Sequence, residues 1–256
     1  MATAIARGAV AAGLCAPADL TGSGRTAATR ERFTAETGGG AGTADNRALV
    51  RASEVVFLCV KPADACATLR GLAVELAGRL VVSVAAGVSL ADLQEAAGPT
   101  TPVVRTMPNT PCLVGKGATA YARGTAVTDG HAATTERIFA ALGDVHAVPE
   151  GLIDAVNGLS GSGPAYVYLV IEALADGGVL MGLPRALAAS LAAQTVLGAA
   201  ETVRQTGRHP AELREAVASP GGTTMAALET LERAGVRAAM MGAVRAATER
   251  ARQMGK

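Results

Sequence analysis

Val55-Val-Phe-Leu-Cys-Val-Lys-Pro62 is a run of apolar, mostly β-branched residues that stops at a lysine and at a proline suited to the first turn of a helix. It reads as a buried strand followed by a helix. Leu80-Val-Val-Ser-Val-Ala-Ala-Gly87 repeats the arrangement with small residues after the strand, and Arg105-Thr-Met-Pro-Asn-Thr-Pro111 repeats it with two prolines fixing the loop. Strands are expected at 55–60, 80–85, 103–107, 117–122 and near 145–148, and helices at 63–77, 89–97 and 129–142. Such alternation implies a mainly parallel sheet covered on both faces, hence an α/β domain. Ligands of these sheets lie beyond the carboxyl ends of the strands, so three successive strand ends with small or fixed loops favour a nucleotide or cofactor edge. Lys61 at the first of them suits a ligand contact or plain solvation.

After about Glu150 the strand signal disappears. Helices are expected at 165–181, 185–206, 210–218, 224–234 and 236–254, stopped by Gly182-Leu-Pro184, Gly207, Ser219-Pro-Gly-Gly222 and Gly235. The reading is an α/β domain over 1–149 followed by an all-α domain over 150–256. Several of these helices carry Ala, Leu, Val and Gly on more than one face. That exceeds what a five-helix monomer can bury, so self-association is the natural outlet and a well-packed bundle the alternative. Two stretches put glycines and hydroxyls where a helix is expected to begin: Asn157-Gly-Leu-Ser-Gly-Ser-Gly-Pro-Ala-Tyr166 and Ser219-Pro-Gly-Gly-Thr-Thr224. Free N–H groups and the positive end of the helix dipole make such a terminus an anion site, and two of them suggest a small anionic substrate. The Thr224 hydroxyl suits either chemistry or helix capping.

With 256 residues, half of them apolar, the chain can form one large domain or two modest ones. Its net charge of +1, with acids and bases scattered, offers no electrostatic footprint for nucleic acid or an anionic membrane. Cys15, Cys59, Cys66 and Cys112 form no C-x-x-C pair and His131, His146 and His209 lie far apart, so neither a metal site nor a disulfide framework is expected. The uncharged run 186–200 falls short of the roughly 20 residues of a membrane span. Near the N-terminus Arg7 interrupts the apolar run instead of preceding it, which favours a cytoplasmic helix over an export signal.

Taken in order, the motifs resemble the pyrroline-5-carboxylate reductase family from Met1 to about Gln253. Val-Lys-Pro at 60–62, Ser-Val-Ala-Ala-Gly at 83–87, Met-Pro-Asn-Thr-Pro at 107–111, Leu-Ser-Gly-Ser-Gly-Pro-Ala-Tyr at 159–166 and Ala-Asp-Gly-Gly-Val at 175–179 carry the resemblance. So does Pro210-Ala-Glu-Leu-Arg-Glu-Ala-Val-Ala-Ser-Pro-Gly-Gly-Thr-Thr-Met-Ala-Ala-Leu-Glu229, the most specific match. The resemblance implies a Rossmann-like NAD(P)-binding domain, an all-α dimerisation domain, and homodimers that can assemble into a larger ring. It implies reduction of 1-pyrroline-5-carboxylate to L-proline, the last step of proline biosynthesis, with NADPH, NADH being the second option. By the same resemblance Thr224 contacts the substrate nitrogen, while Gly221, Gly222 and Thr223 hold the carboxylate through backbone N–H groups. Glu150 aligns with a substrate-side position, the alternative being an exposed loop acid; Ser160 and Tyr166 shape the pocket floor. Asn46, Val60, Lys61, Pro62, Ala85 and Ala86 fall at cofactor positions. Ser23, Arg25 and Thr26 lie where the second strand of the fold ends, and an Arg there accommodates a 2′-phosphate.

One departure stands at the beginning. In the family a first strand and a Gly-x-Gly-x-x-Ala turn precede the helix that opens at Met1, so about ten residues are missing from the pattern, the pyrophosphate glycines and a central strand among them. The neighbours of that strand are expected to lose pairing on one side. An upstream start is one explanation; a shortened chain that dimerises but binds cofactor poorly is the other. A related NADP-dependent imine reductase and a non-catalytic helical dimer are the competing functional readings.

Overall fold

In the computed structural model, which describes residues 1–254, the run at Val55 forms a strand whose alternate side chains enter two different cores. The strands are β1 (Thr21–Ser23), β2 (Ala41–Thr43), β3 (Val55–Leu58), β4 (Leu80–Ser83), β5 (Val103–Met107), β6 (Gly117–Arg123) and β7 (Gly143–Ala147). The first helices are α1 (Ala2–Ala11), α2 (Ala27–Thr37), α3 (Asn46–Arg51), α4 (Pro62–Arg70), α5 (Ala73–Leu76), α6 (Leu90–Ala97), α7 (Asp129–Ala140) and α8 (Ile153–Val156). Strands β3 to β7 make one sheet in chain order, parallel except where β5 meets β6 antiparallel.

Period-two geometry divides the apolar residues between the faces. Val56, Leu58, Val81 and Val103 pack with Val50, Leu69, Leu76 and Leu93 from α3 to α6. On the other face Leu80, Val82 and Val104 pack with Ile5 of α1 and Phe139 of α7, and Phe57 meets Phe139 edge-on at 6.2 Å. Every residue of β4 is buried, as a strand covered on both faces requires. Each fully buried Val, Leu or Phe contributes about 1.5–3 kcal/mol, so this unit has a core of its own.

The sheet is also split. β1 and β2 form a separate parallel pair, and among the described residues β1 pairs only with β2 and β3 only with β4. Several expected elements are shorter than the sequence suggests: the strand at 80–85 ends at Ser83, and the helices at 129–142 and 210–218 end at Ala140 and Ala216. The strand at 55–60 ends at Leu58 because Cys59 and Val60 turn out of the ladder toward α4. The helix expected over 63–77 divides into α4 and α5, since the backbone of Leu72 leaves helical geometry (φ −121°, ψ 3°).

Beyond Ile153 the chain is helical: α9 (Gly163–Leu180), α10 (Arg185–Thr206), α11 (Pro210–Ala216), α12 (Thr223–Arg233) and α13 (Val236–Met254). Two compact units result, Met1–Ser162 together with the chain from Arg245 onward, and Gly163–Val244. The first unit therefore extends past residue 149 and takes in the end of α13. Inside the second, α9 and α10 turn at Gly182 (φ +97°), where only glycine is unstrained, and Arg185 pairs with Asp176 across the turn. Its buried apolar core is Ala175, Ala188 and Ala192. Although its uncharged run is short, the 22-residue α10 is long and apolar enough as a whole to cross a membrane by length and composition.

Candidate active site

The carboxyl ends of β3, β4 and β5 share one edge of the sheet. After β3, Lys61 takes the N-cap of α4 and Pro62 its first turn, where the missing N–H costs nothing. Val60, Lys61 and Pro62 are exposed, and Lys61 makes no ion pair among the described residues. Behind them burial pushes the Cys59 thiol up to about 11, against a smaller opposing effect of the Met1 amino group. Cys59 is a neutral packing group at pH 7. Ile5 of α1 shares a core cluster with Phe57 and Cys59, so α1 lies beside the end of β3. Among the described residues Ala2, Thr3 and Ala4 keep free N–H groups there, because Met1 supplies no side-chain cap.

The loop after β4 is held from several sides. Ala85 is buried and Ala86 half-buried; the Ala85 N–H donates to Ser83 Oγ at 3.3 Å, and Thr106 Oγ1 donates to the Ser83 carbonyl at 2.9 Å. Gly87 turns the chain at φ +75°, and the Leu90 N–H at the start of α6 donates to Glu150 Oε1 at 2.6 Å. The same oxygen accepts Arg105 Nη1 at 3.0 Å, while Arg105 Nη2 reaches Asp154 Oδ1 at 3.2 Å. Glu150 is thus no exposed loop acid.

At the end of β1, Ser23 and Arg25 are exposed, and Arg25 lies 3.8 Å from Asp64 in the first turn of α4. That contact brings the β1 end next to Lys61 and Pro62. Thr26 caps α2 by accepting the Thr29 N–H, and Arg30 braces the loop by donating to the Gly24 carbonyl at 2.8 Å. Asn46, first residue of α3, sits elsewhere, on a depression of about 580 Å³ lined also by Arg47, Ala67 and Thr68. The residues at these three strand ends fit a dinucleotide phosphate: free helix-start N–H groups, a hydroxyl and an exposed guanidinium are its usual donors.

Asn157–Tyr166 contains a helix start at Gly163, where α9 begins. Before it the chain is helical from Ile153 and passes through Asn157–Gly161 as a π-turn, with the Ser162 N–H bonded to the Asn157 carbonyl. The N–H groups of that π-turn lie inside a helical run, so Asn157–Gly161 offers no anion site. Asn109 holds the turn, donating to the Ser160 carbonyl at 3.0 Å while accepting the Ala118 N–H at 2.9 Å. A Cβ on Gly161 would lie 2.9 Å from Met107 Cε and closer still to Asn157 Oδ1, so glycine allows the approach. Ser160 Oγ donates to the Val156 carbonyl, and in the second unit the Tyr166 hydroxyl donates to the Ala243 carbonyl at 3.4 Å.

Ser219–Thr224, by contrast, does open a helix. Gly221 stands at φ +67°, and the Gly222 N–H closes a turn onto the Ser219 carbonyl at 3.0 Å. Gly222 is the N-cap of α12 without a side-chain cap, and Thr224, half-buried as the second residue of the helix, makes no capping bond among the described residues. The Gly222 N–H expected for the substrate is already engaged. Thr223 and Thr224 carry the unclaimed first-turn N–H groups among the described residues.

Arg105, Ser83, Thr106 and Asn109 were legible only as parts of motifs. One signal was available for Arg105: a lone charge inside Val103-Val-Arg-Thr-Met107 demands buried partners. No group of His, Cys, Asp or Glu among the described residues could hold a metal ion.

Comparison with known proteins matches residues 150–254 to the pyrroline-5-carboxylate reductase dimerisation family and residues 1–87 to the NADP oxidoreductase, coenzyme F420-dependent, family. The chain is 51% identical to a pyrroline-5-carboxylate reductase of Synechocystis sp. over 83% of this chain and 79% of that one. It superposes on the Coxiella burnetii pyrroline-5-carboxylate reductase with TM-score 0.92 at 35% identity, covering 100% and 95% of the two chains. For the Plasmodium falciparum pyrroline carboxylate reductase with NADP bound, the TM-score is 0.89 at 32% identity, with 99% and 94% covered.

Proposed function

The chain belongs to the pyrroline-5-carboxylate reductase family, and on that premise we propose how its residues divide the reaction. It is an oxidoreductase that reduces 1-pyrroline-5-carboxylate to L-proline with a nicotinamide cofactor. When bound, that cofactor supplies hydride to the C=N carbon of the substrate. Arg25 and Ser23 take the 2′-phosphate, so NADPH is preferred over NADH; the exposed guanidinium with one distant, solvated partner supports this. Val60, Lys61 and Pro62 line the next part of the cofactor edge, and Asn46, on its separate depression, is a further cofactor contact. Ala85 and Ala86 are small enough to let a flat ring lie against the loop after β4.

The Thr223 and Thr224 N–H groups hold the substrate carboxylate at the positive end of α12, in the turn that Gly221 and Gly222 shape. The Thr224 hydroxyl hydrogen-bonds the ring nitrogen, which gains a proton as the carbon is reduced. The observation that carries this reading is the unused Thr224 hydroxyl beside two unused N–H groups. The helical unit is an oligomerisation domain. Its partner is a second copy of this chain, with further assembly into a ring, and exposed Leu169, Leu187, Leu191 and Leu197 on α9 and α10 supply the surface.

NADPH oxidation with 1-pyrroline-5-carboxylate, compared with related cyclic imines, tests the substrate. The five-membered cyclic imine with its carboxylate on the saturated carbon bonded to nitrogen is expected to react fastest; equal rates for imines lacking the carboxylate would refute the proposed grip.

A further inference from the structure

Residues 84–89, between β4 and α6, are tied down at both ends by polar groups, among them Glu150, which the family resemblance placed on the substrate side. At the first end Ser83 Oγ accepts the Ala85 N–H and the Ser83 carbonyl accepts Thr106 Oγ1, all buried. At the other end the Leu90 N–H donates to Glu150 Oε1, and that oxygen also accepts Arg105 Nη1. The Arg105 guanidinium is 7% exposed, and its second nitrogen donates to Asp154 in the first turn of α8. One rigid fork therefore fixes the start of α6 relative to the segment that enters the π-turn.

A buried cation of this kind is poor evidence for stability, because apolar residues of the same volume usually do as well. Its distinguishing property is geometry: charge-assisted bonds from two nitrogens to two carboxylates, at 3.0 and 3.2 Å, leave a planar guanidinium little freedom. We propose that Arg105 is a positioning residue that acts through Glu150 to set the place of the Ala85–Ala86 loop against the cofactor ring. Asp154 anchors the fork, and Glu150 transmits it by holding the Leu90 N–H rather than the substrate. The inference rests on the reading that Ala85 and Ala86 meet the cofactor. Ser83 and Thr106 fix the near end of the loop, so loss of Glu150 frees the far end alone.

The test compares Glu150→Ala with Glu150→Gln, which keeps an oxygen for the Leu90 N–H, and with Arg105→Lys, which keeps the charge and loses the fork. In Glu150→Ala the single-turnover rate of NADPH oxidation is expected to fall about 100-fold, the scale set by a displacement of order 1 Å. The KM for the imine should stay near wild type, Gln should restore most of the rate, and Arg105→Lys should fall between; the Ala variant should melt lower, because buried Arg105 then keeps only Asp154, so its rate is read at a temperature where it is folded. Amide exchange at Leu90 in the cofactor-free protein should accelerate in the Ala variant and not in the Gln variant. A wild-type rate alongside an unprotected Leu90 amide overturns the proposal, as does a loss confined to KM for the imine, the mark of a direct substrate ligand. Ala86→Leu separates the premise from the proposal. It should weaken NADPH binding measured by fluorescence, and unchanged binding removes the cofactor reading whatever the Glu150 variants do.

Discussion

The two units differ in where their apolar residues go. In the sheet unit Val81, Val82, Val103 and Val104 are fully buried, whereas the helical unit buries Ala175, Ala188 and Ala192 while Leu180 and Met181 are more than 80% exposed. One unit is complete around its own core. The other presents the inner face of something larger, as a dimerisation domain should. The difference teaches that sequence apolarity alone does not locate a core: α10 and β4 are both apolar, but β4 is covered on both faces within the chain, whereas α10 packs only one stripe against α9.

The sharpest way to break this comparison is a pair of truncations. Leu93→Ala, at a residue with no exposed surface, should destabilise the protein by about 2–5 kcal/mol in urea unfolding. Leu180→Ala, 84% exposed in the single chain, should change it by no more than about 0.5 kcal/mol once the protein is diluted to monomer. A loss comparable to that of Leu93→Ala in the monomer would contradict the division.

Chemistry should follow the same division. Thr224→Ala is expected to lower kcat about 100-fold, a scale typical of lost proton-transfer or hydrogen-bond assistance, with an unchanged circular dichroism melt. Thr224→Ser should recover much of it, and unaltered turnover in the Ala variant would leave the hydroxyl without a role. On the sheet unit Arg25→Ala should raise the Kd for NADPH about tenfold, as loss of a charge-assisted bond implies, with NADH binding unchanged. Equal effects on both cofactors would place Arg25 away from the 2′-phosphate.

The smallest effect concerns pH. The folded Cys59 thiol holds its proton to about 11, above the roughly 8.5 of an unfolded cysteine. Its contribution to stability is complete below pH 8.5 and is lost as pH rises through that window, because only the unfolded chain releases the proton. Between pH 9 and 10 Cys59→Ala should lose about 1 kcal/mol less than wild type; parallel slopes would show that the thiol titrates alike in both states.

The sheet from Val55 onward was legible because β-branched runs with sharp ends leave a local signature, and β5 falls on its expected bounds. β1 and β2 leave almost none: Thr21-Gly-Ser23 and Ala41-Gly-Thr43 are three residues each without an apolar run. Asn157–Gly161 looks like a helix start because glycine and serine disfavour helix interiors, and only the Asn109 bond from 51 residues away shows what they accommodate instead. Glu150 was visible as a candidate but not its use, since its partners Leu90 and Arg105 lie 60 and 45 residues away. Ser219–Thr224 does open a helix, as its glycines and hydroxyls suggest. Which N–H groups stay free depended on the Gly222 turn, set by the Gly221 backbone angle.

The mass of the chain in solution, measured by light scattering at micromolar concentration, tests most directly whether the helical unit is completed by another copy. Wild type should run as a dimer or a multiple of it, and Leu187→Glu with Leu191→Glu, which puts two carboxylates on the apolar face of α10, should run as a monomer with the sheet unit still folded. A monomeric wild type, or a double variant that associates as before, would contradict the account.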